Sequence, residues 1–270
     1  MQDCHEGKKE MHIEYAISLW NYFHYANLQS LERELVLIRD QGYGIEVWGW
    51  WQAEKDLFDE VGRARLRAAL HEMTVTLHTA LVETFEQHKK QIDAAVDLGA
   101  KVLVLHPSDL ARDDGGLDIP LARDVMAYAA GHGVRLALEN GPLPFLVQAI
   151  EAVDGLEICL DVGHVYQTPD PMSRFLDALR DRLIHLHLQD TLSEPERGLP
   201  CTGGDHYIPG TGGIPEADWR LLVDTLQAID FDGIAVFEIR PRNPLQTALL
   251  ATRFMDHLLK DANGQSSAGL

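Results

Sequence analysis

Short apolar runs alternate with longer amphipathic stretches from one end of the chain to the other. The runs predict β-strands near 12–18, 44–48, 73–78, 101–106, 134–139, 156–161, 183–188 and 233–238. Between them, apolar residues at helical spacing predict helices near 29–41, 62–72, 84–98, 118–132, 143–153, 172–182, 215–229 and 243–260. Eight strands alternating with eight helices predict an α/β fold, a single-domain (β/α)8 TIM barrel. An open doubly wound sheet would place a Gly-rich phosphate turn after its first strand, and none is present. Gly42 and Gly44 are read as stopping the first helix, and Gly99 and Gly133 as stopping later ones. The expected organisation is a flexible segment over 1–11, the barrel over 12–260 and a flexible tail over 261–270. The longest connection, Thr191–Ile214, has the length of a functional loop.

Alternation along the strands then selects residues. In Leu136-Ala137-Leu138-Glu139 the leucines share the face that meets the helices, so Glu139 points inward. The same parity turns Asp161, His187, Glu238, His78 and His106 inward, and Glu46 and Trp48 with them. Each lies at or beside the C-terminal end of its strand, the face on which such barrels carry active sites. Neighbouring strands run roughly 4.8 Å apart, close enough for adjacent members of this ring to share an ion. Inward carboxylates at Glu139, Asp161 and Glu238 repel one another unless a cation or proton compensates. Imidazole with carboxylate is the usual ligand set of a divalent metal.

Composition narrows the reading. The 270 residues suit one large domain, and 46% hydrophobic content fills a core. No run of about 18 apolar residues predicts a membrane span. The polar stretch Met1–Glu10 lacks the apolar segment of a signal peptide. Cys4, Cys159 and Cys201 form neither a disulfide framework nor a CxxC zinc pattern, so a cytoplasmic location is expected and Cys159 reads as an apolar filler. Charge is 23 basic against 42 acidic residues, a net −19. Such a surface repels phosphate backbones and argues against a nucleic-acid partner.

Five local words occur in order: Leu138-Glu139-Asn140, Leu160-Asp161-Val162-Gly163-His164, His185-Leu186-His187-Leu188-Gln189-Asp190, His206-Tyr207-Ile208-Pro209-Gly210-Thr211-Gly212 and Val236-Phe237-Glu238-Ile239-Arg240. Together they resemble the xylose isomerase-like TIM barrel superfamily over about residues 12–260. That group holds sugar and sugar-phosphate isomerases and epimerases, some dehydratases of sugar-derived compounds, and zinc-dependent apurinic endonucleases. The resemblance implies one metal held by Glu139, Asp161, His187 and Glu238, with His164 touching a substrate oxygen. Arg240 is expected to orient Glu238 or to reach an anionic group. The endonuclease-type site adds His78 and His106 for a second ion bridged by Glu139. It adds His164 and an Asp-x-His pair for a third. His206 stands where the histidine of that pair belongs, but Gly204 replaces the aspartate and Asp205 lies one position off. Relatives are often dimers or tetramers, so the resemblance also admits a homo-oligomer.

The chemistry expected is isomerisation or epimerisation of a small-molecule sugar, an aldose or ketose, in carbohydrate metabolism. A proton leaves the carbon beside a carbonyl, and a divalent metal stabilises the enediolate. Glu139 and Glu238, on different strands, are suited to move that proton. Three carboxylates and one imidazole favour Mn²⁺, Mg²⁺ or Co²⁺, whereas occupation of the His78/His106 side favours Zn²⁺. Glu46 and Trp48 are expected to face substrate, and Trp20, Trp50 and Trp51 could stack on a sugar. The turn Pro209-Gly210-Thr211-Gly212-Gly213 could offer amides to a phosphate, or simply lead into the next helix. The competing readings are an apurinic endonuclease-like phosphodiesterase and a metal-dependent dehydratase. A sugar-binding barrel without catalysis leaves the inward carboxylates unexplained.

Overall fold

The computed structural model describes residues 11–20, 28–48, 60–80, 82–192, 204–240 and 243–262. Its strands are β1 (His12–Ser18), β2 (Gly44–Trp48), β3 (Val75–His78), β4 (Val102–Leu105), β5 (Arg135–Glu139), β6 (Glu157–Asp161), β7 (Leu183–Leu188) and β8 (Asp232–Phe237). Each pairs in parallel with its sequence neighbours, and β8 closes on β1 from His12↔Asp232 to Ile17↔Phe237. The connecting helices are α1 (Leu28–Asp40), α2 (Glu60–Ala69), α3 (Phe85–Leu98), α4 (Ile119–Gly131), α5 (Leu143–Ala152), α6 (Met172–Leu179), α7 (Glu216–Ala228) and α8 (Pro244–Ala262). The predicted (β/α)8 barrel is therefore the fold observed, and only element ends differ. α2 stops at Ala69, and the chain then turns through Glu72 at φ 67°. α6 stops at Leu179 and tightens into a 3₁₀ turn at Arg180–Arg182. α8 runs to Ala262, so Asp261 and Ala262 belong to a helix and not to a tail. Residues 1–10 and 263–270 lie outside the described residues. Among the described residues no helix is long and apolar enough to cross a membrane.

Local chemistry sets the boundaries. Thr84 caps α3 by accepting the N–H of Gln87, whose side chain accepts the N–H of Thr84 in return. Gly99 ends the same helix at φ 71°, a left-handed position that a Cβ disfavours. Gly44 does not end a helix: it opens β2, where a Cβ would sit 2.7 Å from the Thr74 carbonyl oxygen.

Strand alternation sorts side chains into two layers. Leu77, Leu103, Leu105, Leu136, Leu138, Leu160, Leu186 and Phe237 lie in the core between sheet and helices. Burying each contributes about 1.5–3 kcal/mol. Ala16, Val102, Val104, Ala137, Cys159, Ile184, Ile234 and Val236 form a second cluster inside the barrel. Two residues further along those strands come Ser18, His106, Glu139, Asp161 and Glu238, so the apolar plug is the floor of a polar layer. One irregularity matters: Ile158 pairs with Leu183 but Cys159 pairs with His185. Ile184 is thus an extra residue, a bulge of the kind found beside active sites, and the residues after it are His185 and His187 facing inward.

Candidate metal centre

Glu139 ends β5, Asp161 ends β6, His187 lies in β7 and Glu238 follows β8. One ligand-capable atom from each lies within 4.8 Å of the others, and all four side chains are buried. His187 is the hub. Its Nδ1 lies 2.8 Å from Glu139 Oε1, 3.4 Å from Glu238 Oε2 and 3.8 Å from Asp161 Oδ2. The four residues implied as one ligand set lie together at one point.

Electrostatics are strained in the way such a cluster demands. Burial pushes Glu238 up, assisted by the neighbouring Glu139 charge and opposed by His187, to about 7. Burial opposes ionisation of Glu139 too, but His164, His187 and His78 hold its carboxyl well below the usual range. Burial disfavours charge on His164 as well, yet Asp161 and Glu139 raise it to about 10. Carboxylates packed this closely require compensating positive charge.

Asp161 is held on three sides. Its Oδ1 accepts the N–H of His164 at 2.7 Å, capping the single helical turn Val162–Val165. Its Oδ2 accepts from the Gln189 side chain at 3.0 Å. Asn140 donates to its carbonyl at 3.1 Å and accepts its N–H at 2.5 Å. Gln189 also accepts the N–H of His206 at 2.6 Å, tying the ligand to the loop after β7. Sequence reasoning singles out neither Asn140 nor Gln189, although Gln189 shares the inward parity of His185 and His187.

A second group joins His78, His106 and Glu139, again with atoms within 4.8 Å. His78 Nδ1 lies 2.7 Å from the Thr79 carbonyl, which assigns the proton to that nitrogen. Its Nε2 is buried without a hydrogen-bond partner 3.9 Å from Glu139 Oε2; burial opposes charge on the ring, but Glu139 and Glu46 raise it, so this nitrogen holds either a proton or a cation towards the carboxylate. His106 Nε2 lies 3.4 Å from the same oxygen. Burial, with the charge of His78 beside it, lowers His106 to about 4, so His106 presents a neutral imidazole. An unpartnered buried ring nitrogen beside a carboxylate fits a cation between them. Trp48, half-buried, stacks on His78 at 4.2 Å and 17°.

The other expected site residues separate. His164 faces the centre, with Nδ1 3.5 Å from both Glu139 and Asp161. His206, at φ 59°, approaches the Glu238 carbonyl through Nδ1 at 2.9 Å, and its ring lies 5.8 Å from that of His164. No group of three potential ligands joins His164 to His206 among the described residues. Asp205, the near miss for the missing aspartate, accepts from Arg240 at 2.6 Å. Arg240 therefore pairs with Asp205, and its guanidinium carbon lies 5.4 Å over the Trp20 ring. Trp20 also packs against His206 at 4.8 Å. Glu46 is fully buried beneath the ligand layer, where it meets His185 and His187 rather than open space. Cys159 lies fully buried on the barrel floor, close to both histidines. Trp50 and Trp51 lie outside the described residues. The amides of the Pro209–Gly213 turn do not await a phosphate: Gly210 donates to the Asp190 carboxylate at 2.9 Å, and Thr211 and Gly213 donate to the carbonyls of Ile208 and Thr191.

Beside the centre opens a cavity of about 350 Å³, lined by His106, Glu139, Asn140, His164, Gln167 and Thr168 among others. That volume suits a small polar molecule.

Known proteins share this fold. An inosose dehydratase from Lactiplantibacillus plantarum is 29% identical over 115 residues, a match covering 37% of this chain and 37% of that protein. A D-tagatose 3-epimerase-like protein superposes with a TM-score of 0.72 at 18% identity, covering 94% of this chain and all of the other. Endonuclease IV from Thermus thermophilus superposes with a TM-score of 0.59 at 19% identity, covering 92% of this chain and 99% of the other. These structures share the fold. The profile that describes xylose isomerase-like TIM barrels matches residues 42–258, and the chain belongs to that family.

Proposed function

We propose that the protein is a divalent-metal-dependent isomerase or epimerase of a small unphosphorylated sugar. The observation that carries this reading is the convergence of Glu139, Asp161, His187 and Glu238 at one buried point beside a cavity of sugar size. Glu139, Asp161, His187 and Glu238 would hold a divalent cation, and such an ion would supply Lewis-acid polarisation of a substrate carbonyl that makes the neighbouring C–H acidic. Glu139 and Glu238, from strands three apart, flank that point, so one takes the proton and the other returns it. His164 donates to a substrate oxygen at the rim. Asn140 and Gln189 keep Asp161 fixed. No lysine or arginine is among the described cavity residues, and the amides of the glycine turn already serve Asp190, which favours a substrate without phosphate. His78 and His106 offer a place for a second ion.

The inosose dehydratase match favours a second reading, in which the same proton abstraction is followed by loss of water. Phosphodiester cleavage of abasic DNA draws on the His78/His106 group, and the −19 charge weighs against it.

The test is deuterium wash-in from D2O into a panel of ketoses and an inosose, with Mn²⁺, Mg²⁺, Co²⁺ or Zn²⁺ supplied. Exchange into a ketose that falls about 10²–10⁴-fold in both Glu139→Gln and Glu238→Gln is expected. Elimination without ketose exchange establishes the dehydratase reading instead. Cleavage of abasic-site DNA with no exchange into any sugar overturns both.

A further inference from the structure

A histidine that ligates through one ring nitrogen carries its proton on the other, and the partner of that N–H fixes which is which. His187 is placed between two sets of carboxylates. Its Nδ1 faces Glu139 and Glu238, and its Nε2 faces Glu46, at 3.1 Å from Oε1 and 3.3 Å from Oε2. We propose that Glu46 is a positioning residue, accepting the Nε2–H of His187 so that the Nδ1 lone pair is aimed at the cation. This rests on reading the four-residue cluster as the cation site.

Three observations favour that role. Glu46 has no exposed surface, so it reaches neither substrate nor solvent, and among the described residues it belongs to no potential ligand group. It is surrounded by donors: His185 Nε2 lies 3.0 Å and Thr76 Oγ1 3.2 Å from its Oε2, with His187 as the third. A buried carboxylate needs such donors, which keeps the Nε2 proton of His187 on the Glu46 side. On the other face, Nδ1 lies 2.8 Å from the Glu139 carboxylate, the distance of an N–H donor that a bound cation would replace. Lone pair and carboxylate tolerate that distance only with a cation or a proton nearby. The bulge at Ile184 belongs to the same device, since the register after it sets His185 and His187 on the face shared with Glu46.

The stack extends through His185, whose Nδ1 has no hydrogen-bond partner. It follows that His185 donates only through Nε2, towards Glu46. Glu46→Gln disturbs both histidines at once. The amide offers one carbonyl to two N–H donors and sets its NH2 against the other ring. That imidazole must then shift its proton to Nδ1, which in His187 blocks ligation.

The experiment measures Mn²⁺ and Zn²⁺ affinity by calorimetry in wild type and Glu46→Gln, with a circular dichroism check of folding. In parallel, nitrogen-15 NMR reads the histidine ring protons of Zn²⁺-loaded wild type. Expected are an affinity about 10–100-fold weaker in the variant and a His187 ring protonated at Nε2 alone. Equal affinity in both proteins, or a loaded His187 protonated at Nδ1, overturns the role of Glu46 while leaving the cation site intact. A wild type that binds neither ion overturns the cation site, and this inference with it. If the variant fails to fold, the wild-type spectrum decides.

Discussion

From β5 to β8 the barrel mouth presents three carboxylates around one imidazole; from β2 to β4 it presents two imidazoles beneath an indole. The two halves share Glu139 and little else. The first is rich in oxygen and its members are almost wholly buried, whereas His106 in the second keeps nearly a third of its side chain exposed. Oxygen-rich sites suit harder cations such as Mn²⁺ or Mg²⁺, and imidazole-rich sites suit Zn²⁺. Glu139 is the one residue that belongs to both groups, so the two halves meet at a single carboxylate.

Breaking the bridge should have the largest effect. Glu139→Gln removes the charge on which both halves converge. Expected is a loss of activity of about 10²–10⁴-fold together with loss of bound metal from both groups. Elemental analysis of the purified variant checks the second part, and retention of a full complement of metal would show that Glu139 bridges nothing.

The next effect is a count. Zinc titration should load two ions per chain and manganese one. His106→Ala, which removes a ligand from the imidazole half alone, should reduce the zinc count from two to one and leave manganese at one. Calorimetric stoichiometry reads both. A zinc count of one in the parent protein would make the second half a wall rather than a site.

Most of the architecture of both halves was legible in the sequence, because alternation along a strand decides which side chains enter a barrel. Parity alone turned Glu139, Asp161, His187, Glu238, His78 and His106 towards one mouth. Parity is silent on depth, and Glu46 shows the consequence. It faces inward as expected, yet its register partner in β3 is Thr76, one layer below His78, so it supports a ligand where a substrate contact was expected. Arg240 shows a second limit. Its partner Asp205 comes from a loop whose path no periodicity describes. The glycine turn at 209–213 shows a third. Its amides do bind an anion, but that anion is the chain's own Asp190.

That turn supplies a smaller prediction on the oxygen-rich side. A Cβ at Gly212 would lie 2.4 Å from Asp190 Oδ1 and 2.5 Å from the Thr191 carbonyl, both firmly held. Gly212→Ala should therefore cost about 1–3 kcal/mol of stability, the usual scale for overpacking. Urea denaturation measures it. The count of zinc ions should not change, because no ligand lies in the turn. An unchanged midpoint would mean that the loop yields freely and does not brace this half.

The smallest effect separates two readings of Trp48 on the other side. Its ring stacks on His78 at 4.2 Å and meets His106 edge-on at 6.1 Å, so it can buttress the imidazoles, wall the substrate, or do both. A stacked pair contributes about 0.5–1.5 kcal/mol, which corresponds to a loss of roughly two- to twelvefold in affinity for the second zinc ion in Trp48→Ala. Manganese affinity should stay constant, since the indole touches no member of the oxygen-rich half that it would order. Trp48→Phe retains a ring over His78 and should recover most of the zinc affinity. If the variant instead raises the KM for sugar and leaves zinc binding alone, the indole belongs to the substrate, and the asymmetry between the two halves lies in the histidines by themselves.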